Sequence, residues 1–465
     1  MIRLIFYKEL KEIFRTSKVV WMVTGVFILM ALALYNGYSS YVKHSTLLRE
    51  SQQTTYQQFI SQGDKNPHLG AHFGFYAYKP AADLAMIDNG IEDYTGNSFY
   101  LEPHKRGIVK FKDVADATGL INFGFFNAGY FAEFILPLFI FLICHNIFSK
   151  EWENGTIKMV LSSKATTKQV FTGKLLACLT LIFGMLMVLA LSGLGLLLMA
   201  QASDRVGNIL VVYSCYLLGL GLFALMMTII GVSVSLLTRS SSLSLVVLSG
   251  FWLIGVFLIP RLSSEVSKNI YPPITSLDFE NTTFHDKQYG VNGQGHKDTR
   301  RVFLMDSVMK QYHVKRIEDM PVYFIPIDIE YFEDTDADVM NGAYSSIDTN
   351  ETLQNRFVLT ASALSPFLAF RDFSMRLTAT DMHTHHDFTV KAEEHRRVIS
   401  EIVNTFYQKN VVASNDFWKT IPQFSYEAPG IAGRLSSAMW SIITLISWAI
   451  ASVLLMVFSY RKMTV

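Results

Sequence analysis

The stretch LLACLTLIFGMLMVLALSGLGLLLMA, at 175–200, runs for 26 residues without one charged side chain. A helix crosses the hydrocarbon core of a bilayer in about 20 apolar residues, so this stretch is a span and the chain sits in a membrane. Five more apolar runs flank it, at 19–35, 128–147, 209–236, 243–259 and 439–458. The gaps at 41–127 and 261–436 are far too long for turns. The expected fold is a polytopic α-helical membrane protein of six spans. A large α+β or mostly helical extracytoplasmic domain separates the fifth span from the sixth. The expected division is an interfacial helix at 1–18, a first span at 19–40, a first outer segment at 41–127, and spans two to five at 128–260. An outer domain with its own core at 261–436 and a sixth span with its tail at 437–465 complete it.

Of the 465 residues half are apolar and 17% are charged, with a net charge of +1. That balance gives no electrostatic reason to expect nucleic acid as a partner. Basic residues of short loops mark the cytoplasmic side. Arg3, Lys8, Lys11, Arg15 and Lys18 precede the first span. Lys150, Lys158, Lys164, Lys168 and Lys174 fill loop 148–174, and Arg461 and Lys462 end the chain. The short loop 201–208 offers only Arg205, beside Asp204. Both termini are therefore expected in the cytoplasm and both long segments outside. The first apolar run is too long for a signal-peptide core and lacks a small-residue cleavage site. Cys144, Cys178 and Cys215 all fall in spans, so no disulfide braces the outer segments. That suits a bacterial cytoplasmic (inner) membrane.

Local patterns place the remaining elements. Ile2, Ile5, Phe6, Leu10, Ile13 and Phe14 form one face of an interfacial helix, with Lys8, Glu9, Lys11, Glu12 and Arg15 mostly opposite. Residues 322–331 alternate as a strand does, with Pro326 pushing it to an edge. Ser365-Pro366 reads as a helix start. Phe388, Ala392, His395, Ile399, Ile402 and Phe406 form one stripe of a helix at 388–407. In loop 148–174, Gly155-Thr156 turns into a short helix at 157–161, and Thr166 with Gln169 has capping-box spacing. A short helix between two breaks is a suitable handle for a soluble motor.

Glu151, Glu153, Gly155-Thr156 and then Lys174 entering a span resemble the ABC-2 type permeases of ATP-binding cassette transporters. SALSPFLAFRDFSMRLTATDMHTHHDF (362–388), AEEHR (392–396) and WKTIPQFSYEAP (418–429) resemble the large extracytoplasmic domain of uncharacterised function found in one branch of them. DMPVYF, NPHLGAHFG and PAADLA fit as well, whereas Ala379 stands where glycine is expected. The resemblance implies a transport subunit, an exporter by family habit, without catalytic residues or cofactor of its own; ATP and Mg belong to a partner cytoplasmic ABC ATPase. It implies that Glu151, Glu153, Gly155, Thr156 and Lys174 serve ATPase coupling, and that a second permease, identical or sister, completes a dimer. Ser365, Pro366, Arg371, Asp372, Ser374, Asp381, Glu393, Arg396, Pro422, Phe424 and Tyr426 fall in the outer-domain motif as structural residues. An envelope partner would meet that domain.

The chain has no G-x-x-x-x-G-K-[S/T] phosphate loop. Its span interiors hold no Asp, Glu, Lys or Arg apart from Glu133 near an outer end, which disfavours ion-coupled transport. Asp381, His383, His385, His386 and Asp387 form the most tempting metal cluster, though on a helix these side chains would not converge. His68 and His72 are weaker, because Pro67 and Gly70 argue against one helical face. Ser307 and Lys310 match S-x-x-K without its companion motifs. Asp381, Glu393, Arg371, Arg376 and Arg396 are read as one buried ion-pair network locking two outer helices. Phe123, Phe125, Phe126, Tyr130, Phe131, Phe134, Phe139 and Phe141 contact lipid or, on a sharper reading, a hydrophobic cargo. Gly184, Gly193, Gly195, Gly219 and Gly221 allow close packing in spans three and four. A membrane-anchored outer enzyme, metal-dependent in one version, and an ATP-driven envelope scaffold stay open as alternatives.

Overall fold

The computed structural model describes residues 1–102, 109–110, 126–162, 165–200, 206–291 and 293–463. Lys164, Asp204, Arg205, Phe123 and Phe125 lie outside the described residues. Among those described, six helices are long and apolar enough to cross a membrane. They are Ser17–Ile60, Ala128–Glu153, Thr167–Ala200, Gly207–Thr238, Ser241–Ile270 and Met439–Lys462.

Sequence signals set where these spans begin and bend. Thr166 and Gln169 form the expected capping box: the Gln169 amide donates to Thr166 Oγ1 at 3.3 Å, and the Thr166 amide to Gln169 Oε1 at 3.1 Å. Asn127 caps the second span by accepting from the Tyr130 amide at 2.9 Å. Two spans carry an internal proline, Pro137 and Pro260. Each has a π-helical turn just before it, at Phe131–Ile135 and Ile254–Leu258. Proline removes one donor and crowds the preceding turn, and the wider turn absorbs both effects.

The first of these six helices, Ser17–Ile60, has 44 residues, about 66 Å at 1.5 Å per residue and twice the bilayer core of about 30 Å. Its second half leaves the bundle and enters a head, where Leu48 and Phe59 are buried. So the first twenty residues of the segment at 41–127 are helix. Among the described residues the head is mostly helical, with one three-stranded antiparallel sheet of β1 (Phe75–Tyr78), β2 (Ser98–Leu101) and β3 (Val109–Lys110), in that order. Phe75 pairs with Leu101, and Ser98 with Lys110.

The head core is shared rather than owned by 261–436. Phe59, Phe75 and Phe99 from the first long segment pack with Phe388, Val403, Trp418 and Phe424 from the second. Gly70 permits a close approach: a Cβ there would lie 2.4 Å from the Trp418 ring. The anticipated strand at 322–331 is instead the start of a 37-residue helix, Phe324–Thr360. Pro326 falls in its first turn, where amides have no intrahelical acceptor anyway and a missing N–H costs nothing.

The end of that helix does not stay in the head. Residues 361–365 form a tight bend, and Pro366–Thr378 returns as a second helix packed on the spans. Ser365 caps it as expected, accepting from the Leu368 amide at 3.3 Å, and donates to Gly255 O at 2.7 Å. Phe370 stacks on Phe223 at 4.5 Å, and Phe367 meets Phe251 at 5.6 Å. Trp440 and Trp448 donate their indole N–H groups to Leu359 O and Ser362 O at 2.9 and 3.3 Å. Gly219 and Gly255 leave room for Phe373 and Phe367, whose rings would sit 2.1 and 2.5 Å from an added Cβ. This hairpin therefore belongs to the bundle core, not to a separate outer domain.

Candidate coupling site

Loop 148–174 is built from helix Ser149–Glu153, a turn at Asn154 and Gly155, and helix Thr156–Ser162. Gly155 has φ +69, a left-handed conformation that suits glycine. Ile157 is buried, whereas Glu153, Asn154, Gly155, Thr156 and Met159 are exposed, Met159 by 72%. The Lys158 side chain lies outside the described residues.

Behind this exposed ledge lies a compact ionic knot. Lys174, 2% exposed, donates to Glu9 Oε1 and to Ile147 O at 2.9 Å each, and sits 3.0 Å from Glu151 Oε1. Lys8 reaches Glu9 at 3.4 Å and Glu151 at 3.5 Å. Lys150 pairs with Glu12 at 3.4 Å. The knot joins the N-terminal helix Ile2–Arg15, the end of the second span and the start of the third. Gly173 makes this possible, since an added Cβ would meet Ile5 at 2.8 Å. Glu153 reaches elsewhere: the Ser241 amide and hydroxyl donate to its carboxylate at 2.9 and 2.7 Å. It thus caps the fifth span, where a negative charge also complements the helix dipole.

The structure therefore splits the five residues singled out here. Gly155 and Thr156 stand on the exposed turn, whereas Glu151 and Lys174 lie inside the knot and Glu153 bridges to the fifth span. Glu9 is the residue the sequence reading missed. Its charge puts it with the polar face, yet it follows Ile5 by four positions and precedes Ile13 by four, on the inward stripe.

The motif at 362–429 resolves into separate clusters rather than one network. Arg371 pairs with Glu133 of the second span at 2.8 Å. Arg376 holds Asp372 at 2.8 Å on its own helix and lies 3.7 Å from Asp381. Ser441 of the sixth span donates to Asp372, and Ser374 donates to Asp88. Glu393 pairs with Arg396 one turn along the same helix, at 2.8 Å. Only Arg376 and Asp381 link the two helices by charge among the described residues, because Pro366–Thr378 faces the spans while Met382–Tyr407 faces the head. Asp381 caps the latter helix through the His383 amide at 3.1 Å. Ala379 adopts φ 57, the left-handed conformation that makes glycine the usual occupant.

Pro422 O accepts from His395 Nε2 at 3.0 Å, and Gln52 donates to Phe424 O at 2.6 Å. Tyr426 donates to Asp387 at 3.0 Å; burial and the nearby Asp387 charge push its phenol above the ordinary range. His383 is exposed, His385 is buried near Phe388, and His386 lies 3.4 Å from Asp348. Among the described residues no group of three or more His, Cys, Asp or Glu side chains is placed to hold a metal ion. His68 and His72 do come together, contrary to expectation. Asn66 caps helix Pro67–Ala71, proline takes its first position, and the rings lie 4.8 Å apart. Of the aromatic group, Phe131, Phe139 and Phe141 are buried in the bundle, while Tyr130 is 40% exposed.

Residues 3–328, well over half of the chain, match the model of the ABC-2 family transporter protein. The chain belongs to the ABC-2 transporter family. A second model, a domain of unknown function (DUF3526), matches residues 279–427. Comparison with the curated proteins gives no match. The ABC-2 match contains the first five spans and the ionic knot. The second match contains the returning helix Pro366–Thr378 and most of the head, and the sixth span follows both. This ABC-2 protein is a multi-pass membrane subunit of a transport machine, consistent with the six apolar helices.

Proposed function

We propose that the chain is the permease subunit of an ABC exporter, driven by a separate cytoplasmic ATPase that grips the ledge at Gly155, Thr156 and Met159. One observation carries this reading: the buried Lys174 ammonium joins Glu9, Glu151 and Ile147 O, while Glu153 reaches the fifth span. A force applied to helix Thr156–Ser162 is thereby shared among the N-terminal helix and the second, third and fifth spans. An ordinary connecting loop would need none of these contacts. ATP and Mg would bind the partner, and no catalytic step falls to this chain. The basic residues flanking the ledge support a cytoplasmic location for it and for both termini, with the head outside. A second permease would complete the path, and an envelope partner would meet the head.

The returning helix Pro366–Thr378 supports a gate at the outer half of that path. It touches the second, fourth, fifth and sixth spans at once through Arg371, Phe370, Phe367 and Asp372, so rocking of the spans would reposition it. The test is co-purification of the ATPase with Thr156→Trp and Met159→Arg variants. Both residues are exposed, so the fold tolerates the changes. Binding is expected to fall at least tenfold; ATPase binding and transport at wild-type levels in both variants would remove the ledge from the mechanism.

A further inference from the structure

A cavity of about 350 Å³ opens where the first helix passes from the bundle into the head. That volume is within the range of small-molecule sites, about 300–1,000 Å³. One wall is a single face of helix Ser17–Ile60, carrying Asn36, Ser40 and Lys43. Followed back in steps of three and four, the same face carries Leu32 and Leu29, which are 53% and 37% exposed. One stripe thus changes from apolar to polar within a turn, as amphiphile contact at a bilayer surface requires. Asn36 to Lys43 covers about 10 Å along the helix, comparable to a head-group layer of about 5–8 Å.

The opposite wall supplies fixed charge. Lys79 is 4% exposed and pairs with Glu92 at 3.0 Å, and Asp93 accepts from Asn89 at 2.7 Å. Lys43 at the rim has no carboxylate within 4 Å among the described residues. The walls pack closely beneath the cavity, because Gly37 lets the helix approach Met86 O, which would lie 2.1 Å from an added Cβ. Both signs of charge line one pocket above an apolar track.

We propose that this cavity holds the head group of a phospholipid carrying both a phosphate and an ammonium, with its chains along Leu29 and Leu32. The phosphate lies between Lys43 and Lys79, and the ammonium faces Asp93. The bound lipid ties the first span to the head, whichever way cargo moves and whatever drives it.

The experiment is native mass spectrometry of the full chain in detergent, titrated with phosphatidylethanolamine, phosphatidylglycerol or diacylglycerol of equal chain length. Inorganic phosphate serves as a competitor. Wild type is expected to bind phosphatidylethanolamine at least tenfold more tightly than the other two. Ser40→Trp, which fills the cavity, and Lys43→Glu are each expected to weaken it about tenfold. Arg49→Glu, an exposed change farther along the same helix, should leave it unaltered. Equal affinity for diacylglycerol or phosphatidylglycerol, displacement by inorganic phosphate, or undiminished binding by Ser40→Trp would each overturn the assignment.

Discussion

Replacing Lys174 by methionine keeps the length of the side chain and removes its charge. Two carboxylates then lose their shared partner: Glu9 and Glu151, whose side chains are 5% and 13% exposed. The Ile147 carbonyl loses its donor as well. Breaking a buried ion pair from one side costs about 3–5 kcal/mol. Lys8 stays within 3.5 Å of both carboxylates but is half exposed and screened, which argues for the lower end, about 3 kcal/mol. In thermal unfolding of the purified 465-residue chain, whose unfolding entropy is about 1 kcal/mol/K, that is a loss of roughly 3 °C. The informative comparison is a double-mutant cycle with Glu9→Gln. If the two side chains act through each other, the double variant is less destabilised than the sum of the singles by about 1–3 kcal/mol. Strictly additive losses, or a Lys174→Met variant that melts with wild type, would refute the knot as a unit.

Three further outcomes follow from the head and its junction. Gly70→Ala forces a methyl group into the buried Trp418 ring and is expected to cost about 1–3 kcal/mol, read as a lower melting point with altered tryptophan fluorescence. Ala379→Gly relieves a left-handed alanine and is expected to stabilise by about 1 kcal/mol; a lower melting point would contradict the strain argument. Burial holds His395 below its ordinary value, against the raising effect of its bond to Pro422 O. The unfolded chain therefore takes up the proton first, so stability is full above about pH 6.5 and is lost as pH falls below it. Melts at pH 7.5 and 5.5 should show that loss in wild type and less of it in His395→Gln; identical slopes would remove His395 from the account.

The spans and helix starts were legible because each is a local signal. A run of apolar residues, the Thr166–Gln169 pair and Ser365-Pro366 carry their meaning within one or two turns. The first helix beyond Tyr35 was readable too, since residues 38–62 contain neither proline nor glycine, but polarity drew attention away from that continuity. The alternation at 322–331 has the period of a strand, but the residues that follow it continue as one helix to Thr360, and that continuity decides the element. What pattern alone does not reveal is pairing between distant segments. Phe59 meets Trp418, Phe370 meets Phe223, and Arg371 meets Glu133, each across hundreds of residues or a change of domain. The returning helix reads as amphipathic either way, and only its partners show that it packs on the spans. Likewise, Glu9 looks like one charge among several until Lys174 is brought against it.

Side-specific labelling examines the whole arrangement. Single cysteines at Thr156 and at Val412, both exposed positions, are treated with a membrane-impermeant maleimide in sealed vesicles of known orientation. Labelling of Val412→Cys from outside, with Thr156→Cys protected until the vesicles are opened, is the result expected of a permease gripped from the cytoplasm. Labelling of both positions from one side would put ledge and head in the same compartment and contradict it.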